Sequence, residues 1–91
     1  MSISVRIPTV LRSYTGGAPE VVAEPGTVRE IISRLDTAYP GISERLLDES
    51  GQLRRFVNVY VGERDVRSAN GLDTQVPAGT QVSVIPAVAG G

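Results

Sequence analysis

Residues 27–41, Thr-Val-Arg-Glu-Ile-Ile-Ser-Arg-Leu-Asp-Thr-Ala-Tyr-Pro-Gly, decide the fold because they predict a single amphipathic helix. Thr27 and Glu30 have the spacing of a capping box, in which the threonine caps the helix and the glutamate reaches back. The apolar residues recur every three or four positions and so share one face: Val28, Ile31, Ile32, Leu35, Ala38 and Tyr39. Because Pro40 and Gly41 end this pattern, we predict a helix over 28–39.

Strand patterns lie on both sides of this helix. Residues 2–11 alternate between apolar and polar side chains, which is typical of a half-buried strand. A glycine-rich loop over 12–19 returns the chain into a short strand over 20–23. The remaining predicted elements are a helical turn at 42–47, strands at 55–61, 66–67 and 81–85, and an irregular segment over 68–76.

The order of these elements predicts an α+β fold of the β-grasp (ubiquitin-like) type, with a mixed sheet packed on one main helix. In this fold the first and last strands lie side by side at the centre of the sheet. We assign residues 1–86 to the β-grasp domain and residues 87–91 to a flexible C-terminal tail.

The composition excludes most chemistry from the chain itself. The 91 residues include no cysteine, histidine, lysine or tryptophan, so the commonest nucleophiles, general bases and metal ligands are missing. We therefore expect no catalytic residue and no metal site. The net charge is −1 and the nine arginines are scattered, which argues against nucleic acid as a partner. No signal peptide or long apolar run is visible, so we expect a cytoplasmic protein without a membrane partner.

The C-terminal sequence is the strongest functional feature. The chain ends at Gly90-Gly91, where glycine offers a slender backbone with no Cβ beside the carboxylate. Fully extended, the five residues from Ala87 to Gly91 reach about 17 Å, long enough to enter a deep cleft of another protein. We predict that Ala89 and Gly90 thread into a partner and that the Gly91 carboxylate is activated there. The alternative is an ordinary frayed terminus.

A docking surface should accompany such a tail. Phe56, Tyr60 and Ile85 are predicted to face away from the helix, where the core does not need them. Aromatic anchors close to arginine are common at the centres of protein interfaces. The alternative is that a loop covers these three side chains.

Several motifs together resemble the MoaD/ThiS family of sulfur carriers. They are the ending Pro86-Ala87-Val88-Ala89-Gly90-Gly91, the strand over 55–61 with Asp65-Val66-Arg67 after it, and Gly41-Ile42-Ser43-Glu44-Arg45-Leu46. The opening Ile7-Pro8-Thr9-Val10-Leu11-Arg12, with Thr15-Gly16-Gly17, is most similar to the actinobacterial members that serve cysteine biosynthesis. The resemblance covers nearly the whole chain.

The resemblance implies a protein co-substrate rather than an enzyme. An activating enzyme would use ATP and Mg²⁺ to adenylate Gly91, and sulfur would then replace the adenylate to give a thiocarboxylate. A pyridoxal-phosphate cysteine synthase of the O-phosphoserine type would accept that sulfur, and a zinc metallopeptidase would release cysteine. No cofactor is expected on this chain, since ATP-Mg, pyridoxal phosphate and zinc belong to the partner enzymes.

Two other family roles remain open from the sequence. One is the small subunit of molybdopterin synthase, although many such carriers have a second proline where this chain has Ala87. The other is a ubiquitin-like modifier of proteins. The absence of lysine argues against chains of such a modifier, because no side-chain amine is available for self-linkage.

Overall fold

Seven strands and two α-helices make up this computed structural model, which describes residues 2–86. The strands are Ile3–Arg6 (β1), Glu20–Ala23 (β2), Gly26–Thr27 (β3), Val57–Val61 (β4), Arg64–Asp65 (β5), Gln75–Val76 (β6) and Gln81–Pro86 (β7). The α-helices are Val28–Ala38 (α1) and Ile42–Leu46 (α2), and short 3₁₀ helices cover Thr9–Thr15, Val66–Ser68 and Gly71–Asp73. A five-stranded sheet has the order β2-β1-β7-β4-β5, and β3 pairs with β6 in a separate ribbon.

The first and last strands lie side by side at the centre of the sheet, as predicted. β1 runs parallel to β7, with Ser4 opposite Gln81 and Arg6 opposite Ser83. β4 flanks β7 on its other side in antiparallel register. This mixed sheet packed on one main helix is the β-grasp arrangement, and the prediction of the fold class is confirmed.

α1 begins with the predicted capping box. The Thr27 side-chain oxygen accepts a hydrogen bond from the Glu30 amide at 3.2 Å, and the Glu30 carboxylate accepts one from the Thr27 amide at 2.9 Å. The helix ends at Ala38, one residue earlier than predicted, because Tyr39 leaves helical geometry at φ −132°. The Tyr39 amide still donates to the Leu35 carbonyl at 2.7 Å, so the last turn closes tightly.

The core lies between α1 and the inner face of the sheet. Valine and isoleucine side chains that alternate along β1, β4 and β7 meet the apolar stripe of the helix. The buried members of this layer include Ile3, Val5, Val28, Ile31, Ile32, Leu35, Val57, Val59, Val82 and Val84. Hydrophobic burial of these side chains is the main contribution to folding in a domain of this size.

The first predicted strand is too long. β1 covers only Ile3–Arg6, and residues Thr9–Thr15 form a 3₁₀ helix where we expected the end of a strand and a loop. Pro8 has no amide hydrogen for a strand ladder, and its carbonyl instead accepts a hydrogen bond from the Leu11 amide at 2.9 Å. Leu11 and Thr15 are buried, so tertiary packing supports this turn.

Three smaller predictions need correction in the second half of the chain. The strand expected at 66–67 is instead β5, Arg64–Asp65, because the Asp65 carboxylate accepts the Arg67 amide at 2.9 Å and begins a 3₁₀ helix. The fourth strand begins at Val57 rather than at residue 55. The irregular segment contains β6, whose partner β3 lies directly before α1.

Candidate docking surface beside the C-terminal strand

The end of β7 places the C-terminal segment at one edge of the domain. Pro86 is the last described residue, and it lies opposite Val57 at the start of β4. Ala89, Gly90 and Gly91, which the sequence predicts to thread into a partner and to react, lie outside the described residues. Because β7 is hydrogen-bonded within the sheet, the described part of the chain provides a rigid base for that segment.

Tyr60 and Ile85 lie on neighbouring strands β4 and β7, and Phe56 lies in the turn that precedes β4. Ile85 pairs with Asn58 and Ser83 pairs with Tyr60, so Ile85 and Tyr60 share the outer face of the sheet. In the turn before β4, the Val57 amide donates to the Arg54 carbonyl at 3.0 Å. Phe56 is 54% exposed and Ile85 is 48% exposed, whereas Tyr60 is half-buried. The structure thus gives Tyr60 and Ile85 a common face, while the role of all three side chains in docking stays a prediction.

An arginine missed by the sequence reasoning organises this surface. The Arg67 guanidinium donates to the Asn58 side-chain oxygen at 2.7 Å and to the Arg54 carbonyl at 2.8 Å. It therefore fixes the chain that leads into β4 and carries Phe56. The Arg54 guanidinium in turn donates to the Glu44 carbonyl at 2.9 Å, which ties the same segment to α2. These contacts join residues distant in sequence, so no local pattern indicates them.

A groove of about 520 Å³ opens on the other side of the same strand. Its walls come from the chain that follows β1 and from the last residues of β7, and they include Arg6, Pro8, Val10, Ile85 and Pro86. Val10 is 64% exposed. No sequence pattern predicted this groove, although Pro8 and Pro86 indicate that the β1 and β7 ladder stops there.

The carboxylates whose pKa values are lowered stabilise local structure. The pKa of Glu30 is lowered by hydrogen bonds from Thr27, and that of Asp36 is lowered mainly by the backbone amide of Ser43. The pKa of Asp48 is lowered chiefly by its hydrogen bond from the Ser50 side chain. Each of these carboxylates caps or closes a turn, and they lie in separate parts of the fold.

Within residues 2–86, no three His, Cys, Asp or Glu side chains lie close enough together to share a metal ion. In the same part of the chain, no helix has both the length and the apolar character to cross a membrane. The candidate contact surfaces among the described residues are therefore the outer face beside β4 and the groove beside β1, which share Ile85.

Comparison with known proteins identifies the family to which this fold and this C-terminal strand belong. The profile of the ThiS family matches residues 5–91. The chain belongs to the ThiS family. The family match includes the Gly-Gly ending as well as the domain, and the resemblance inferred from the sequence is confirmed.

Members of the ThiS family that carry sulfur are similar over the full length. The sulfur carrier protein CysO of Mycobacterium tuberculosis is 50% identical over 93 residues, and the alignment covers all of both chains. A crystal structure of the BexX/CysO complex from Amycolatopsis orientalis contains a chain with 46% identity and a TM-score of 0.91, covering 98% of this chain and 99% of that one.

The molybdopterin branch of the family is more distant. The molybdopterin synthase sulfur carrier subunit of Pyrenophora tritici-repentis is 28% identical over 79 residues, covering 87% of this chain and 78% of that one. The higher sequence identity to CysO, 50% against 28%, places this chain nearer to the CysO sulfur carriers than to this molybdopterin synthase subunit.

Proposed function

We propose that this protein is a sulfur carrier for cysteine biosynthesis, a co-substrate that partner enzymes act on rather than a catalyst. The single observation that carries the proposal is the full-length similarity to CysO, which extends through the Gly-Gly ending. The fold supports it because β7 is a central strand that leads directly into residues 87–91.

The reactive group in this proposal is the carboxylate of Gly91. Attack of that carboxylate on the α-phosphate of ATP, with Mg²⁺ in the partner enzyme, forms an acyl-adenylate and releases pyrophosphate. A hydrosulfide equivalent then attacks the acyl carbon and AMP leaves, so that the C-terminus becomes a thiocarboxylate. Gly90 and Ala89 keep the approach narrow because neither carries a bulky side chain.

The proposed partners follow the same sequence of reactions. An adenylating enzyme forms the thiocarboxylate, and a pyridoxal-phosphate cysteine synthase of the O-phosphoserine type receives its sulfur. On that synthase the thiocarboxylate sulfur replaces the phosphate of O-phosphoserine, which forms a thioester between Gly91 and the new cysteine and releases phosphate. An S-to-N acyl shift converts this thioester into an amide, and a zinc metallopeptidase hydrolyses the amide with water to release cysteine. The complex of an A. orientalis CysO with BexX is an example of a similar carrier bound to another protein.

The outer face of the sheet is the proposed docking surface for these enzymes. Phe56 and Ile85 are exposed, and Tyr60 lies on the same face as Ile85. Exposed apolar clusters of this kind commonly mark interaction sites. The surface adjoins the end of β7, so a partner bound there lies close to the segment that carries Gly91.

A mass-spectrometric assay tests the proposal. The purified chain is incubated with ATP, Mg²⁺, a sulfide donor and the adenylating enzyme of the same organism. Arg67 is the last basic residue, so trypsin releases residues 68–91 as one peptide that contains the C-terminus. We expect this peptide to gain the mass of an oxygen-to-sulfur exchange, located at Gly91 by fragmentation.

The matched control is the chain without Gly91, which keeps the domain intact. We expect it to fold normally and to gain no sulfur. An unchanged mass in the full chain with an enzyme that is active on a known carrier would reject the proposal. Transfer of sulfur to a molybdopterin precursor but not to the cysteine synthase would instead assign the chain to the molybdopterin branch.

A further inference from the structure

A pocket of about 450 Å³ lies where the inner face of the sheet ends, between the 3₁₀ helix Thr9–Thr15 and α2. We propose that this pocket receives residues 87–91 of the same chain, with the Val88 side chain on its apolar floor and the Gly91 carboxylate beside Arg45. The residues that line this Arg45 pocket include Leu11, Tyr14, Arg45, Val57, Val84 and Pro86.

The Arg45 pocket opens onto the core because the side chains at this end of the sheet are incompletely covered. Val5 and Val59, nearer the centre of the core, are 0% exposed, whereas Val57 and Val84 are 7% and 6% exposed. Leu11, on the opposite wall, is 9% exposed. A further apolar side chain in the pocket would cover surface that residues 2–86 leave in contact with water, and such burial is favourable.

The alternation of side chains along β7 directs Val88 to this side of the sheet. Val82 and Val84 are buried against the core and Pro86 lines the pocket, so the even-numbered residues of β7 face inward. The same two-residue period assigns Val88 to the inner side, one step beyond Pro86. Val88 is also the last residue of the chain with a side chain larger than that of alanine.

The strands on both sides of β7 stop before they reach residues 87–91. β1 ends two residues before Pro8, which has no amide hydrogen for a strand ladder. On the other side, Pro86 pairs with Val57, the first residue of β4, and the chain before Val57 turns at the hydrogen bond to the Arg54 carbonyl. The sheet formed by the described residues therefore offers the C-terminal segment no further strand partner, and the Arg45 pocket is an adjoining apolar surface.

Arg45 supplies the charge that a C-terminal carboxylate requires. Its Nε donates to the Tyr14 hydroxyl at 2.8 Å, and its guanidinium carbon lies 6.0 Å from the centre of the Tyr14 ring. Both terminal nitrogens of Arg45 remain without a hydrogen-bond partner among residues 2–86, where the one ion pair joins Arg29 to Asp73. A carboxylate can therefore bind both terminal nitrogens, which is the bidentate pairing that arginine favours.

The length of the C-terminal segment matches this arrangement. The five residues after Pro86 span at most about 17 Å. Pro86 and Arg45 both line the pocket, so a segment of this reach can join them. Two residues bring Val88 over the apolar floor, and three more bring the Gly91 carboxylate to the α2 side of the pocket.

The contact shelters the reactive carboxylate until a partner withdraws it. This consequence, unlike the contact itself, rests on the proposed function. A partner bound to the outer face leaves the inner end of the sheet free, so docking and release of the tail are separate steps. The apparent affinity for the activating enzyme then falls with the fraction of carriers whose tail is bound to the pocket.

Nuclear magnetic resonance of the full chain tests the contact. We expect nuclear Overhauser effects between the methyl groups of Val88 and those of Leu11 and Val57. We also expect a backbone order parameter at Gly90 above about 0.6, the value below which a backbone is flexible. Val88→Thr keeps the shape of the side chain but adds a hydroxyl, and it should weaken both signals. Ala87→Ser, at the outward-facing position, is the matched control and should preserve them.

Neutralising either charge separates the ion pair from the apolar contact. A carboxamide in place of the Gly91 carboxylate should lower the Gly90 order parameter below about 0.6, and so should Arg45→Gln. Arg64→Gln, exposed on edge strand β5, is the charge control and should leave it unchanged. The carboxamide alters no side chain, so it decides the question even where Arg45→Gln destabilises the domain in thermal melting.

The activating enzyme provides a second measurement. Arg45→Gln should lower the KM for the carrier about two- to fivefold, because an exposed ion pair no longer competes with release of the tail. Arg64→Gln should leave the KM unchanged. A raised KM for Arg45→Gln would overturn the sheltering role and show that Arg45 contacts the enzyme instead.

Two further results would overturn the assignment of the pocket. One is an absence of Overhauser effects between Val88 and the pocket, together with a Gly90 order parameter that the carboxamide does not change. The other is a set of effects seen only between differently labelled copies in a mixed sample, which would assign the pocket to the tail of a second copy. If the contact within one chain is observed but wild type is never adenylated, the inference stands and the proposed function fails.

Discussion

Side-chain hydrogen bonds of individual residues set the boundaries of the main helix α1. Thr27 and Glu30 form three hydrogen bonds at the N-terminus of α1, two of them between a side chain and a backbone amide. At the other end, the Asp36 carboxylate accepts the amides of Gly41 at 3.0 Å and Ser43 at 3.1 Å, and so connects α1 to α2. These contacts satisfy backbone donors that the helix geometry leaves without a partner.

The cap at Thr27 should contribute measurably to stability. Thr27→Ala removes the acceptor of the Glu30 amide and is expected to lower the free energy of unfolding by about 1 kcal/mol. Urea denaturation followed by circular dichroism measures this change. Thr27→Ser keeps the hydroxyl and should restore most of the loss; equal stability of the Ala and Ser variants would show that the cap contributes nothing.

Asp36 should make stability depend on acid pH. Its pKa is lowered in the folded state, chiefly by the Ser43 amide, so the charged form favours folding. The stabilisation is present above the unfolded pKa of about 4 and is lost as the pH falls through the lower folded pKa. We expect Asp36→Asn to be less stable than wild type at pH 7. We also expect this variant to lose less stability than wild type does when the pH is lowered.

Denaturation midpoints measured from pH 7 down to pH 2.5 test this expectation. Glu49→Gln is the control, because Glu49 is exposed and its side chain makes no hydrogen bond among residues 2–86. A profile for Asp36→Asn that runs parallel to wild type throughout would contradict the assignment.

At the scale of elements, the sheet has two faces with different roles. The inner face packs on α1, whereas the outer face beside β7 carries exposed apolar side chains. Ile31 on α1 is 1% exposed, and Ile85 on β7 is 48% exposed. The same residue type therefore serves folding at one position and remains available for contact at the other.

The two isoleucines provide a matched pair of substitutions. Ile31→Ala should lower the free energy of unfolding by about 2–5 kcal/mol, because it removes buried methyl groups and leaves a cavity. Ile85→Ala should change stability by at most about 0.5 kcal/mol. Chemical denaturation measures both, and a loss for Ile85→Ala as large as that for Ile31→Ala would show that Ile85 belongs to the core.

The outer face should respond to a charge at Tyr60. Under the proposed function, Tyr60→Glu is expected to weaken binding to the activating enzyme, since it places a carboxylate within the proposed apolar docking surface, while the β-grasp fold is retained. Isothermal calorimetry measures the binding, and circular dichroism with thermal melting checks the fold. Binding equal to wild type in a folded Tyr60→Glu variant would refute this surface.

At the scale of the whole molecule, the proposed function depends on the distance between the β-grasp domain and the Gly91 carboxylate. The proposed docking surface adjoins the end of β7, so in the proposed function the length of the segment after Pro86 sets how far the Gly91 carboxylate reaches. A partner that binds the body must receive the reacting carboxylate at a defined distance.

Lengthening that segment should therefore abolish the reaction without affecting the fold. Insertion of Gly-Ser after Pro86 adds up to about 7 Å to the reach, and displacement of a reacting group by even ~1 Å can cost about a hundredfold in rate. We expect a large loss of kcat/KM for adenylation with an unchanged melting temperature. A kcat/KM equal to that of wild type would show that the body does not position the carboxylate.

Local sequence patterns were sufficient for much of the fold. The capping box and apolar stripe of α1 were predicted correctly, as was the central pairing of the first and last strands. The sequence also placed Phe56, Tyr60 and Ile85 on one face, and the register of β4 with β7 agrees for Tyr60 and Ile85, whereas Phe56 lies in the turn before β4. The reason is that side-chain periodicity and helix capping act within a few residues of each other.

Other features depended on contacts between distant parts of the chain. The sequence by itself determined the β-grasp order of elements and the family to which the Gly-Gly ending belongs. Only the tertiary structure decided that β3 pairs with β6, that Arg67 holds Arg54 and Asn58, and that a groove opens between β1 and β7. Such two-residue strands and long-range hydrogen bonds have no period of their own, so they form only once the core has brought their partners together.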